Sequence, residues 1–162
     1  MSVFFRRRGK AQIVLDAIFA NNSWAAIISA CQSGSVPDSW AIGDGKMMTI
    51  NGTDYQIDII GKNHDTYESG GKAPLTFQLH DCYGETKNMN SSNTNSGGWE
   101  SSTMRTSTMA IKKRYLPDDW EAIIKPVNKA SGTGSNSSSG TQTVSDNCFL
   151  LAEIEIFGST NY

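Results

Sequence analysis

The dipeptide Asn51-Gly52 constrains this chain more than any other feature of its sequence. A two-residue type I′ turn needs positive φ at both central positions, and Asn-Gly accepts that geometry readily. The dipeptide lies between Lys46-Met-Met-Thr-Ile50 and Thr53-Asp-Tyr-Gln-Ile-Asp-Ile-Ile60. In the second run Tyr55, Ile57 and Ile59 alternate with Asp54, Gln56 and Asp58, the period of a half-buried strand. The pattern predicts an antiparallel hairpin. Leu75-Thr-Phe-Gln-Leu-His-Asp81 alternates in the same way, with Leu75, Phe77 and Leu79 on one face, and reads as a further strand.

Helical spacing follows elsewhere. Trp24, Ile27, Ile28 and Cys31 fall at i, i+3, i+4 and i+7, with Asn22 or Ser23 as the cap and Gly34 as the stop. Trp99 to about residue 114 reads as a second helix. Pro117 with Asp118 and Asp119 opens a third, with Trp120, Ile123, Ile124 and Val127 as its apolar face and Pro126 bending or ending it. The short run 11–20 is apolar on several faces and fits helix or strand equally. Residues 131–144, rich in Gly, Ser, Thr and Asn, read as a flexible loop, and Cys148-Phe-Leu-Leu-Ala-Glu-Ile-Glu-Ile-Phe157 as a last strand. Helices and strands in this order imply an α+β fold.

A length of 162 residues fits one such domain with a core that needs no disulfide or metal. The net charge of -2 argues against a polyanion-binding domain, so nucleic acid is not an expected partner. No apolar run approaches the roughly 20 residues of a membrane span. The opening Met-Ser-Val-Phe-Phe-Arg-Arg-Arg places apolar residues ahead of the arginines, the reverse of a secretory signal, and Asp16 interrupts the apolar stretch behind it. Synthesis in the cytoplasm without a signal peptide is the expectation.

Residues 1–22 are expected to form a docking arm, with Val3, Phe4 and Phe5 as apolar anchors and Arg6, Arg7 and Arg8 as flanking cations. An apolar terminal segment is ordered only when something ties it down. No catalytic residue and no cofactor is implied. Cys31, Cys82 and Cys148 are widely spaced and form no C-x-x-C or metal pattern. His64-Asp65 and His80-Asp81 suggest acid–base or metal pairs, but their spacing supplies no third ligand. Asp54, Asp58, Asp146, Glu153 and Glu155 lack a calcium-loop spacing and read as polar strand faces. Trp99 and Arg105 read as structural, the guanidinium tying loop carbonyls or a carboxylate such as Glu153.

Several phrases occur together in order: Trp40-Ala-Ile-Gly-Asp44, Ile59-Ile-Gly-Lys-Asn-His-Asp65, Leu75-Thr-Phe-Gln-Leu-His-Asp81, Met89-Asn-Ser-Ser-Asn-Thr-Asn-Ser-Gly-Gly-Trp99, Ser101-Ser-Thr-Met-Arg105 and Phe149-Leu-Leu-Ala-Glu-Ile-Glu-Ile-Phe-Gly158. Over roughly residues 23–158 they resemble an uncharacterised domain family of Firmicutes and their prophages. That family is distantly similar to the C-type-lectin-like folds of formylglycine-generating enzymes and of phage variable receptor-binding proteins. The resemblance implies a lectin-like α+β domain over 23–162, with Trp40, Trp99 and Arg105 supporting the fold. Family members usually continue past the Phe-Gly-Ser-Thr segment, whereas this sequence ends at Tyr162, so the second half of the lectin-like core is expected to be missing, remodelled or supplied by a neighbouring subunit. The enzymes' catalytic cysteines lie in that further portion, so none of the three cysteines here inherits a role.

The opening residues resemble the start of many small proteins of phage tail and neck regions. Together the two resemblances imply a non-enzymatic virion protein of a phage or prophage, in tail, neck or capsid. It would dock by its N-terminus on other virion proteins, form a homo-oligomer and display a domain for adhesion to host-surface glycans. The alternative is a stand-alone carbohydrate- or protein-binding module of a bacterial surface.

Overall fold

A computed structural model of the chain describes residues 13–121, 123–134, 140–152 and 155–156. The architecture is mixed α and β, with two small antiparallel sheets and a few short helices. The first sheet has the order β1 (Gly45–Ile50), β2 (Thr53–Lys62), β4 (Leu75–Leu79). The second has the order β3 (Thr66–Tyr67), β5 (Val127–Gly132), β6 (Thr141–Asp146).

The hairpin forms where Asn51-Gly52 requires it. Both residues have positive φ, 49° and 78°, and Ile50 pairs with Thr53 across the turn. That register sends Ile57 and Ile59 into the core together with Met48 and Ile50. On the other side of β2, Ile57 and Ile59 face Leu79 and Phe77 of β4, with a bulge between Ile59 and Gly61.

Helix α1 (Trp24–Ser33) has the limits its end residues impose. The Ser23 hydroxyl accepts the Ala26 N–H, and Gly34 closes the helix in the left-handed conformation at φ 67°. The Ser35 N–H then reaches back to the Ala30 carbonyl, so the last turn keeps its acceptors satisfied. Asn22, the other candidate cap, instead folds the preceding turn. Its side chain donates to the carbonyls of Asp16, Ile18 and Phe19 and accepts the Asp16 N–H. The run 11–20, open between helix and strand in sequence, is irregular from 13 to 18 and ends in a 3₁₀ turn at Phe19–Asn21.

The core joins these elements through aromatic edges. Phe19, Ile27, Ala30, Trp40, Ile59 and Leu75 pack together, and beside them lies a second group of Met48, Ile50, Ile57 and Trp120. Trp24 and Phe77 bridge the two: Trp24 meets Trp120 edge-on at 5.0 Å, and Phe77 meets Trp120 at 5.3 Å.

Four expectations require correction. The helix read over 99–114 is divided into α2 (Gly98–Ser101), a π-helical turn (Met104–Met109) and α3 (Ala110–Lys113). Ser102 divides it: extended at ψ 146° and buried, its hydroxyl donates to Trp99 O and accepts the Arg105 N–H, ending one helix and capping the next. The helix at Pro117 stops after one turn, as α4 (Asp118–Glu121), and Val127 opens β5 instead of extending a helical face. The loop expected over 131–144 is strand at both of its ends, 131–132 and 141–144, since β5 and β6 pair from Val127↔Asp146 to Gly132↔Thr141. Its small polar residues hid a β-branched run, Thr141, Thr143 and Val144, that suits an antiparallel ladder.

The strand expected over 148–157 is absent from 148–152, and Glu155 and Ile156 are helical. The Glu155 carboxylate accepts the Ala152 N–H while the Glu155 N–H bonds the Ala152 carbonyl. This reciprocal local bonding favours a turn over the extended form that apolar alternation suggests.

Ile59 is fully buried at the centre of the larger cluster. Ile59→Ala is expected to cost about 2–5 kcal/mol in a urea unfolding titration. A loss under 1 kcal/mol, by the same scale, would mean that this cluster is not the core.

Candidate functional site

The expected docking anchors Val3, Phe4, Phe5, Arg6, Arg7 and Arg8 lie outside the described residues. The chain that follows them is defined from Ile13 onward, and two side chains hold it. Trp40, fully buried, donates its indole N–H to the Asp16 carbonyl at 3.0 Å and packs edge-on against Phe19 at 5.3 Å. Lys46 of β1 donates to the Ala20 carbonyl at 2.9 Å. Leu15 and Phe19 thereby face the core.

Three other apolar residues of this stretch face outward. Val14 is 89% exposed, Ile18 62% and Ile13 52%. Ile42 and Met47, also exposed, sit on the segments to which this stretch is bonded, just after Trp40 and Lys46. Single exposed apolar side chains are ordinary; here five of them lie on segments bonded to one another.

Trp99 and Arg105 converge on one carboxylate. The Trp99 indole N–H donates to Asp146 Oδ2 at 2.8 Å, and Arg105 Nε donates to both Asp146 oxygens at 2.8 and 3.0 Å. Arg105 also donates to the carbonyls of Glu100 and Ser145. The carboxylate is Asp146 at the end of β6; Glu153, the partner named from sequence, lies outside the described residues.

The two His-Asp pairs behave differently from each other. His80 meets Asp58 on the neighbouring strand, Nδ1 to Oδ2 at 2.5 Å. Gln56 donates to Asp58 as well, and together Gln56 and His80 hold the Asp58 carboxyl below its usual range. The hydrogen bond and the charge of Asp58 raise His80 above its ordinary 6.5.

Asp65 is the buried member of the other pair. His64 is exposed and stands 3.3 Å from its Oδ1. The principal partners of Asp65 are Lys129 at 2.8 Å and the Thr76 hydroxyl, which donates to Oδ2 at 2.5 Å. Lys129 also meets Glu155. Burial works against charge on both groups, yet their mutual hydrogen bonds keep Asp65 low and Lys129 high.

Lys129 was not marked by sequence. Had β5 been recognised, a lysine in the inward phase of Val127, Lys129 and Ser131 would have been the signal. A cleft of about 220 Å³ lies beside it, walled by Trp99, Ser131, Phe149 and Leu150.

Asp54 pairs with Thr49, Asp58 with His80, Asp146 with Trp99 and Glu155 with Lys129, so the four described carboxylates considered for calcium have separate partners. Among the described residues no three His, Cys, Asp or Glu side chains gather to hold a metal ion. Nor, among them, is any helix long and apolar enough to cross a membrane. Burial pushes the Cys31 thiol up to about 11 and raises Cys148 as well, which leaves both poor nucleophiles. Comparison with protein-family models, with curated proteins and with solved structures gave no match.

Two measurements probe this geometry. Trp40→Phe keeps an aromatic ring in the core but removes the bond to Asp16 O. It is expected to cost about 1 kcal/mol and to speed amide exchange over residues 13–18; unchanged exchange would show that Trp40 does not hold the segment. His80 gains from Asp58 only while protonated, so its contribution is complete below pH 6.5 and is lost as pH rises through the raised value. An NMR titration should place His80 above 6.5 and Asp58→Asn should lower it. A midpoint at or below 6.5 in the native chain contradicts the pairing.

Proposed function

We propose that this chain is a non-enzymatic structural protein of a phage or prophage particle, mounted through its N-terminal face on tail, neck or capsid proteins. The observation that carries the reading is the fixed apolar row Ile13, Val14 and Ile18. Trp40, Asn22 and Lys46 hold this segment in one conformation, yet its outward side chains stay in water. Full burial of a valine or isoleucine contributes about 1.5–3 kcal/mol, so covering Val14 and Ile18 would stabilise a contact substantially. Preordering of the segment lowers the entropy lost on docking.

The segment Val3-Phe-Phe-Arg-Arg-Arg8 precedes Ile13 in the sequence and would bring further apolar anchors and three cations to the docking contact. In the same reading the domain is lectin-like and faces outward, and repeated copies make weak contacts with host-surface glycans effective through avidity. What supports that finer part is the order of sequence phrases, with Trp99 and Arg105 gathered on Asp146.

The test uses the full chain. It should be found by mass spectrometry in purified particles and should form a defined oligomer in light scattering. The double variant Val14→Asp/Ile18→Asp should keep the circular dichroism of the native protein and lose that assembly. A native chain that is monomeric, absent from particles and indifferent to the double substitution would end the proposal.

A further inference from the structure

We propose that Lys129 and Asp65 are joined by an intramolecular amide bond, formed between the two side chains with the assistance of Glu155. The strand register brings the two residues face to face. β3 and β5 pair Thr66 with Asn128 and Tyr67 with Val127, and the next step of that antiparallel register places Asp65 opposite Lys129. Lys129 Nζ lies 2.8 Å from Asp65 Oδ1, close to the separation from which an amine can attack the adjoining carboxyl carbon.

The surroundings supply what amide formation needs. Bulk water must be kept away, since water competes as a nucleophile and stabilises the unreactive ion pair. The Lys129 side chain is 8% exposed and that of Asp65 5%, and the Phe149 ring lies 4.7 Å from Nζ. The oxygen that becomes the amide carbonyl needs a donor while it carries negative charge, and Thr76 donates to Asp65 Oδ2 at 2.5 Å. A third group must carry protons from the nitrogen to the departing oxygen. The Glu155 carboxylate meets the same ammonium.

The step balances without any co-reactant. Glu155 relays one ammonium proton to Asp65 Oδ1, and the freed lone pair attacks Cγ of the resulting carboxylic acid, forming the C–N bond. Charge collects on Oδ2 against the Thr76 hydroxyl. The C–Oδ1 bond then breaks, and Oδ1 leaves as water carrying two of the three ammonium protons. The third stays on the amide nitrogen, and Glu155 ends as it began. The cleft beside Lys129 and Glu155 gives that water an exit. Lys129 thus has a second carboxylate on its ammonium, a hydroxyl on the far oxygen of its partner and an aromatic cover.

The bond would tie the short strand β3 covalently to β5, in the sheet that has the fewer aromatic side chains. The inference stands apart from the assembly role proposed above, and its test reads mass and not assembly. The intact full chain should weigh one water less than its sequence, and a protease digest should contain a branched peptide joining Lys129 to Asp65. Asp65→Asn should lose ammonia instead of water and give the same branched product. Lys129→Arg should show the full sequence mass, and Glu155→Gln should show it over most of the sample. A native chain that is folded by circular dichroism and keeps its full mass overturns the proposal, as does a water loss with no branched peptide. Complete linkage in Glu155→Gln would overturn the part assigned to Glu155.

Discussion

The two sheets depend on Asp65. It accepts from Thr76 on β4 of the first sheet and from Lys129 on β5 of the second, and its carbonyl takes the Ala73 N–H. A carboxylate this buried is costly unless it is paired and hydrogen-bonded, and here both oxygens have partners. Removing one partner would leave a charge in a dry place, which generally costs about 3–5 kcal/mol. The cluster therefore specifies where the small sheet sits as much as it stabilises it.

Asp146 repeats this logic at the far end of β6. Trp99 and Arg105 approach it from α2 and the π-helical turn, and they arrive together because Ser102 breaks the helix between them. An unbroken α-helix would place positions 99 and 105 about 120° from alignment on its circumference, given 3.6 residues per turn. With the break, one carboxylate serves both side chains.

The local signals in the sequence were dependable where a single residue dictates backbone geometry. Asn51-Gly52 made its hairpin, and Ser23 and Gly34 bounded α1. The readings that failed were those where alternation or composition competed with local side-chain bonding. Glu155 and Ala152 bond each other where apolar alternation suggested a strand, Ser102 divided a helix, and Ser/Thr/Gly content concealed β5 and β6. The candidate sites were less legible. Trp99 and Arg105 were visible as a pair needing a carboxylate, but Asp146 lies 41 residues from Arg105 and only strand pairing brings it there. Lys129 and Asp65 are separated by 64 residues, and Asp58 and His80 by 22, so neither pair leaves a local trace. The exposed row at Val14 and Ile18 could be found only once Leu15 and Phe19 were seen to point inward.

Lys62 carries one more consequence. Its ammonium donates to the carbonyls of Pro37, Asp38 and Trp40, at 2.8, 3.2 and 3.1 Å, so all three of its protons are spent on one bend of the backbone. A ring of convergent carbonyl oxygens is the environment in which proteins often lodge a potassium or calcium ion. Here the chain carries its own cation on a tether. The bend that presents Trp40 to the core is thus insulated from the ionic composition of its surroundings and will keep its shape in a chelator or in a low-salt medium.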